Sequence, residues 1–385
     1  MSRIINNKEN IQRMDSMSNL EKVLWVCLVI FIQISFGQIF ALISLLFILC
    51  LYITKIVIGN QKVILNYFLL LLFWIMLIVI MLRPNLMDKL VLIELIWLLG
   101  GAIFLFIAAV NSTIQIQMIR NIILMSSGFV AWLFIFEKLI NIETGLFFPN
   151  YAGTRAVGGF DGPNEMGAFY LLVSSISLTC LLLKIGSIKI NIFALIPSVV
   201  MVFLSYSRGA LGGLALLLFL LVLLIFPKSR NKLRILLIFT FIMLILVIVF
   251  SNYIESFDQV RRNAAGRSEL FQQSLDLIVH SPIFGNGMGT YATLYGTTPH
   301  NEYIYILVSG GIVAFIGLIT ILSIPIYLSY RYKFYPELVF FIIFLSQEMF
   351  FNHFVRGRVS LLFWLVFLVV IKSARLNYNK SALEG

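Results

Sequence analysis

The chain has 385 residues, of which 61% are hydrophobic and only 12% are charged. Soluble domains are typically about 45–50% apolar and about 25% charged, so this composition argues against a soluble enzyme and against a disordered scaffold. The net charge of +11 does not indicate a nucleic-acid partner, because the basic residues stand in small groups between apolar runs. The composition predicts an all-α polytopic membrane protein.

Apolar runs along the chain predict about twelve transmembrane helices, within a range of about eleven to thirteen, since a spanning helix needs roughly 20 apolar residues. Several runs are shorter than this and must tilt or include flanking residues. The first two, separated by Gly37, predict either a hairpin or a single kinked helix. The runs lie near residues 23–36, 38–54, 63–82, 90–110, 121–140, 164–183, 190–206, 209–226, 235–251, 303–328, 337–351 and 359–371.

The termini and the charged groups predict the orientation. Residues 1–22 are expected to form an uncleaved cytoplasmic tail, residues 23–371 a single transmembrane domain, and residues 372–385 a second cytoplasmic tail. With both termini inside, the inner segments carry 18 of the 28 Lys and Arg residues and 5 of the 17 acids. This excess of positive charge on one side follows the positive-inside rule.

Two outward segments are long, at about 141–163 and 252–302, and long loops on a rigid scaffold are where function is expected. In the second segment, apolar residues at helical spacing predict a short amphipathic helix over 266–279 at the outer interface. Pro282 ends this helix. The sequence GNGMG at 285–289 predicts a tight reversal and lacks the spacing of a dinucleotide-binding loop.

Neither a metal nor a cofactor is predicted. The three cysteines lie in apolar runs, so neither a disulfide framework nor a clustered metal site is indicated. No group of His, Asp and Glu residues has metal-ligand spacing. Three acids near the outer ends of predicted spans are expected either to balance arginines or to bind sugar hydroxyls; they are Glu94, Glu137 and Glu348.

All three histidines, His280, His300 and His353, are predicted to lie outside. His300 begins the run HNEYIYILVSGG, where the long loop re-enters the membrane as span ten. A neutral histidine is a competent general base, and a side chain at this boundary would face a cavity. The alternative is that His300 only precedes a helix that Asn301 caps.

Arginines on the predicted outer side run against the positive-inside rule, so each needs a reason, and seven of them are candidate ligands. Snorkelling to lipid headgroups explains some of them. Arg208 stands between two spans in SYSRGALGG, where neighbouring glycines allow close helix packing. Guanidinium groups bind phosphates through paired hydrogen bonds, so the set predicts a lipid-linked phosphate or pyrophosphate ligand. The seven are Arg155, Arg208, Arg261, Arg262, Arg267, Arg356 and Arg358.

Three segments, taken in chain order, carry a family resemblance. They are TRAVGGFDGPNEMGAFYLLV (154–173), SYSRGALGGLALLL (205–218) and GRSELFQQSLDLIVHSPIFGNGMG followed by PHNEYIYILVSGGIVAF (266–315). Together they resemble the O-antigen ligase and O-antigen polymerase superfamily, over roughly residues 150–320. One departure is that Phe271 lies where the family commonly has a tryptophan after the arginine of the interfacial helix.

The resemblance implies a GT-C-like membrane glycosyltransferase that is inverting and metal-independent and that uses polyprenyl-pyrophosphate-linked glycans. It implies that Arg208 and Arg267 clamp the pyrophosphate and that His300 is the catalytic base. The expected location is the bacterial inner (plasma) membrane, with the active site on the periplasmic side. Candidate substrate-binding residues are Arg155, whose loop carries over less directly, and Asn301, Arg261, Arg262, Arg356, Arg358 and Glu94.

Three functions are considered. The first is a polymerase that transfers a glycan from undecaprenyl pyrophosphate to the non-reducing end of another lipid-linked repeat unit, in lipopolysaccharide or capsule biosynthesis. The second is a ligase that transfers the finished glycan to lipid A core or another acceptor. The third is a transporter of polyprenyl lipids or solutes, which the gathering of candidates on one side disfavours. Expected partners are the lipid-linked donor and acceptor, membrane lipids and a chain-length regulator.

Overall fold

A computed structural model describes residues 18–34, 37–59, 99–108, 115–141, 146–147, 151–152, 155–225, 259–349 and 358–384. Nearly all of the described residues are helical, and the only described strands form one short hairpin. The helices are α1 (Asn19–Phe31), α2 (Gly37–Gly59), α3 (Leu99–Ala108), α4 (Ile116–Leu139), α5 (Pro163–Leu182), α6 (Ile188–Leu204), α7 (Arg208–Ile225), α8 (Gln259–His280), α9 (Thr290–Tyr295), α10 (Glu302–Arg331), α11 (Tyr335–Glu348) and α12 (Arg358–Glu384). The strands are β1 (Tyr151–Ala152) and β2 (Arg155–Ala156).

Four described helices are long and apolar enough to cross a membrane: Ile116–Leu139, Pro163–Leu182, Glu302–Arg331 and Arg358–Asn377. Four shorter apolar helices accompany them, in α2, α3, α6 and α7. These helices fall on the predicted apolar runs and define a polytopic membrane protein. The predicted spans at 63–82 and 235–251 lie outside the described residues, as does part of the run at 90–110, so the number twelve stays a prediction.

The first two runs form a hairpin and not one kinked helix. The hydroxyl of Tyr52, near the end of α2, donates to the carboxylate of Glu21, near the start of α1, at 2.6 Å. The chain must reverse between α1 and α2 for residues so far apart in sequence to meet. The hairpin alternative of the two predicted is therefore the correct one.

The start of α12 shows which helix ends lie together. The Arg358 side chain donates to the carbonyl of Ile34, just after α1, at 2.9 Å. Its backbone N–H donates to the Glu165 carboxylate, in the first turn of α5, at 2.6 Å. Asn301, before α10, donates to the Met349 carbonyl, after α11, at 2.9 Å. We call this end of the bundle, where α5, α10 and α12 begin and α1 and α11 end, the site end.

The opposite end holds a buried ion pair. Arg120, in the first turns of α4, donates from Nε and Nη2 to the two carboxylate oxygens of Glu337, at the start of α11, at 2.9 and 3.0 Å. The two residues are 5% and 3% exposed. Lys372 lies over the Tyr52 ring at this same end. Helices α4 and α11 thus begin at this end, whereas α5, α10 and α12 begin at the site end.

Helix α10 is broken in the middle, which the predicted continuous span at 303–328 does not anticipate. Gly311 has φ 62° and ψ −163°, so the helical hydrogen bonds stop there. The segment 282–287 of the long loop packs into the break and completes the bonding. The bonds join Asn286 N to Val308 O (2.8 Å), Gly287 N to Ser309 O (2.8 Å), Ile312 N to Pro282 O (2.9 Å) and Val313 N to Ile283 O (3.3 Å).

Two glycines make this close approach possible. A Cβ at Gly311 would collide with the Ile283 carbonyl, and one at Gly285 would collide with the Gly310 backbone nitrogen. Gly285 also has a positive φ of 69°, a conformation that L residues rarely adopt. The GNGMG reversal is therefore a tight turn, as expected, and it is also the part of the loop that is fixed to α10.

Candidate functional site

Arg155 lies in the β-hairpin at the site end, where β1 and β2 pair antiparallel with Ala152 opposite Arg155. Its Nε donates to the Ser205 carbonyl at 3.0 Å, and its Nη2 donates to Asn164 Oδ1 at 2.6 Å. Asn164 follows Pro163, and proline is well suited to the first turn of a helix. These two bonds hold the guanidinium between the start of α5 and the end of α6.

A second arginine lies close to Arg155. Burial lowers the pKa of the Arg155 guanidinium, and the positive charge of Arg208 lowers this pKa further. Both hydrogen-bond acceptors of Arg155 are neutral, so neither offsets the repulsion between the two cations. A bound anion would offset it, which makes this pair suited to a phosphate group.

Arg208 is the first residue of α7 and follows a tight turn. Tyr206 in that turn has a positive φ of 47°, which is uncommon for a non-glycine residue. Ser207 caps the helix, because its hydroxyl accepts from the Ala210 backbone N–H at 3.3 Å. The Arg208 guanidinium is exposed and makes no hydrogen bond or ion pair within the described part of the chain. A cation at the start of a helix, where the helix dipole is also positive, is well placed to bind an anion.

The glycines around Arg208 differ in what they allow. A Cβ at Gly213 would collide with the side chains of Leu171 and Gln347, so this glycine lets α7 pack closely against α5 and α11. A Cβ at Gly212 would meet no described atom within 4 Å. The predicted close packing therefore holds at Gly213 and not at Gly212. Gly167 on α5 supplies a further close contact, against Ser205 and Ser207.

His300 precedes α10 and is exposed at the site end. Its backbone has a positive φ of 53°, a conformation that costs free energy in a non-glycine residue and clusters at functional sites. Asn301 is the helix cap, because its Oδ1 accepts from the Ile304 backbone N–H at 3.1 Å. The cap explains the position of Asn301 but not the strained backbone of His300.

The last turn of α11 joins the two segments that carry Arg208 and His300. Gln347 Nε2 donates to the carbonyl of Gly209 at 3.1 Å. Two residues further on, the Met349 carbonyl accepts from Asn301. The Tyr303 hydroxyl adds a third bond, to the Leu345 carbonyl at 3.0 Å. Arg208 and His300 therefore lie at the same end of the bundle, each one residue away from a contact with this turn.

The helix that carries Arg267 is fixed to the same structure. Helix α8 begins at Gln259, seven residues before the predicted start, and ends at His280. Asn286 Nδ2 bridges the Leu277 carbonyl of α8 (2.8 Å) and the Val308 carbonyl of α10 (3.2 Å). The Tyr291 hydroxyl donates to the Leu270 carbonyl, one turn from Arg267, at 3.0 Å. The side chains of Arg261, Arg262 and Arg267, and the whole of Glu94, His353 and Arg356, lie outside what the structure describes.

Arg358 has a different environment from Arg155 and Arg208. It is 2% exposed, and its Nη1 donates to the carbonyls of Ile32, Ile34 and Gly159. Its guanidinium carbon lies 5.6 Å from the centre of the Phe160 ring, and Nη2 is 3.4 Å from Asp161. These contacts fix the loop between β2 and α5 against the segment that follows α1. Because they occupy the guanidinium, we do not retain Arg358 as a substrate ligand.

Sequence reasoning passed over two residues of this region, Asn164 and Gln347. The sequence does point to Asn164, since this residue follows a proline at a helix start in one of the segments that carry the family resemblance. Nothing in the sequence points to Gln347, because an amide near the end of an apolar run is common. Glu348 was expected near the arginines or sugars, and it is completely buried. Glu137 is also buried, at 4% exposure.

The fold and this end of the bundle define a class: a polytopic membrane protein with exposed cationic and imidazole side chains at the ends of its apolar helices. Residues 193–319 match a family model described as O-Antigen ligase. This match covers about a third of the chain, includes Arg208, Arg267 and His300, and confirms the resemblance to the O-antigen ligase and polymerase superfamily. The match supports a function of the O-antigen ligase or polymerase type in general. No curated protein matches the chain.

Proposed function

We propose that this protein is a polysaccharide polymerase of the bacterial inner membrane. It transfers a glycan from undecaprenyl pyrophosphate to the non-reducing end of a second lipid-linked repeat unit. The observation that carries the proposal is a pair of hydrogen bonds from the last turn of α11, one to Gly209 and one to Asn301. They hold the segments of Arg208 and His300 at one end of the bundle. The site end is proposed to face the periplasm, with both chain termini in the cytoplasm.

The arginines are proposed to bind the donor pyrophosphate. When the bond between the sugar C1 and the pyrophosphate oxygen breaks, negative charge develops on the leaving group. Fixed cations stabilise that charge because they are already oriented before the reaction begins. Arg208 and Arg267 are the proposed clamps, and Arg155 lies near enough to Arg208 to add to the field. The reaction is proposed to need no metal ion, because the guanidinium groups supply the positive charge.

His300 is proposed to activate the acceptor. The imidazole takes the proton from an acceptor sugar hydroxyl as that oxygen attacks the anomeric carbon. The new C1–oxygen bond forms on the face opposite the leaving pyrophosphate, so the configuration inverts. Asn301 positions the histidine, because it caps α10 and bonds to Met349. Arg261, Arg262, Arg356 and Glu94 remain proposed substrate contacts.

A ligase is the second candidate, and the name of the matching family, O-Antigen ligase, favours it. A ligase would use the same donor site and transfer the finished glycan to lipid A core or another acceptor. The polymerase is preferred because the chain shares only the motifs common to both activities, and polymerases vary with the glycan that they build.

Purified protein in lipid nanodiscs, supplied with undecaprenyl-pyrophosphate-linked repeat units alone, separates the candidates. A polymerase produces a ladder of longer lipid-linked glycans, which gel electrophoresis resolves. A ligase gives no product until a second acceptor lipid is added, and then a single transfer product. If neither mixture gives a glycosidic product, both enzymatic candidates fail.

A further inference from the structure

We propose that Gln347 is a positioning residue that sets the separation between Arg208 and His300. This inference rests on the proposed function, because it assigns Gln347 a role in the same site. Gln347 lies on the last turn of α11 and touches neither the expected pyrophosphate nor the acceptor. It acts through the two segments that its turn holds together.

The Gln347 amide is built into the packing of α7. The residue is 1% exposed, and its Nε2 donates to the carbonyl of Gly209, the residue after Arg208, at 3.1 Å. A Cβ at Gly213 would lie 2.5 Å from Nε2. Only glycine at that position leaves room for the amide, so α7 and α11 are fitted to each other at this bond.

The same turn also holds the segment that carries His300. Met349, two residues after Gln347, accepts the bond from the Asn301 side chain at 2.9 Å. Met349 is exposed while Gln347 is buried. Loss of the Gln347 bond would free the start of α7 to move relative to the start of α10.

The Gln347 amide is not needed for packing stability. Its Oε1 is buried and has no hydrogen-bond partner among the described residues, and a buried unsatisfied acceptor is unfavourable. The Gly209 carbonyl, for its part, is in the first turn of α7, where it also accepts the helical bond from the residue four positions on. We therefore expect a protein with an apolar side chain of the same length at this position to be at least as stable as the wild type.

The experiment compares wild type, Gln347→Met and Ser346→Ala in nanodiscs with the lipid-linked donor and acceptor. Methionine keeps the length of glutamine and removes the bond. Ser346 is the matched control, since among the described residues its hydroxyl bonds only to the Ile343 carbonyl of its own helix. We expect Gln347→Met to lower kcat about tenfold to a hundredfold, as misplacement of reacting groups does. We expect KM for the donor within about twofold of wild type, an unchanged or higher thermal midpoint, and wild-type values for Ser346→Ala.

A second measurement does not depend on activity. Amide hydrogen exchange should become faster in Gln347→Met within residues 205–213 and stay as in wild type for Ser346→Ala. A normal kcat in Gln347→Met, or a lower kcat that falls in step with a lower thermal midpoint, would overturn the proposal. If wild type itself transfers no glycan, the proposed function fails and the exchange result still decides whether Gln347 holds the start of α7. Unchanged exchange then overturns the inference.

Discussion

Arg155 donates to the carbonyl of Ser205 at 3.0 Å, three residues before Arg208. This bond holds one guanidinium beside the turn that presents the other, although like charges repel. The remaining described bond of Arg155 goes to the neutral amide of Asn164. Two cations kept together by neutral acceptors form a site that becomes favourable when an anion with several oxygens binds.

Substitution of Arg208 by lysine tests this anion site. Lysine keeps the charge but cannot make the paired hydrogen bonds of a guanidinium, and a bond to a charged group is worth about 1.5–3 kcal/mol. We expect kcat/KM for glycan transfer to fall by at least about tenfold. The control is Arg331→Lys at the opposite end of the bundle, where the side chain bonds to the Tyr327 hydroxyl. Near-normal transfer by Arg208→Lys would contradict the proposed role of Arg208 in binding the pyrophosphate.

Substitution of His300 by alanine separates an enzyme from a transporter. Loss of a general base typically costs about a hundredfold to ten-thousandfold in rate, while binding of the donor lipid should persist because the arginines remain. His280→Ala is the control, since that ring bonds to the Asp276 carbonyl of its own helix. Turnover and donor binding are measured on the same preparations. A transporter would instead keep moving its substrate without His300.

Much of this arrangement follows from sequence and some of it does not. The helix around Arg208 and the cap at Asn301 are local features, so spacing and residue type predict them. Arg358 and Arg208 look alike in sequence, since both stand at the outer end of an apolar run. They differ because Arg358 meets the Ile32 and Ile34 carbonyls, more than 300 residues away in the chain. A single sequence carries no signal for such a contact.

The break in α10 is a similar case. Gly310 and Gly311 stand in an apolar run where small residues more often serve helix packing. The break exists because segment 282–287 supplies the missing hydrogen bonds, and only the folded chain brings that segment there. The early start of α8 has a simpler cause: residues 259–265 contain a single large apolar residue, Val260, which is too little to show a helical period.

Removal of divalent metals tests whether arginines alone stabilise the leaving pyrophosphate. Because arginines are proposed to stabilise the leaving pyrophosphate, transfer by the purified protein should be unchanged after treatment with EDTA. The rate is measured with and without added Mg²⁺, on protein dialysed against chelator. A loss of turnover that Mg²⁺ restores would contradict the metal-free mechanism and leave the donor-binding role of the arginines to be tested separately.

Gly285 and Gly296 offer a matched pair for the loop that packs into α10. Both have φ of 69°, but a Cβ at Gly285 would collide with the backbone of α10, whereas one at Gly296 would meet nothing within 4 Å. Alanine at Gly296 should cost about 1–2 kcal/mol for the left-handed backbone alone. Alanine at Gly285 should cost clearly more, and it should lower transfer because the loop also fixes α8. Thermal midpoints and rates of both variants check this; equal effects would mean that the loop contact contributes little.

The buried pair of Arg120 and Glu337 predicts an effect on stability without an effect on the site. Arg120→Met leaves the Glu337 carboxylate buried without its partner, which typically costs about 3–5 kcal/mol. The double variant Arg120→Met with Glu337→Leu replaces both charges by apolar groups and should be close to wild type or more stable. The free energy of unfolding in detergent is measured for both single variants and the double. Because the pair lies at the end opposite His300, the double variant should transfer glycan at the wild-type rate, and a strong loss there would show that this end of the bundle also shapes the site.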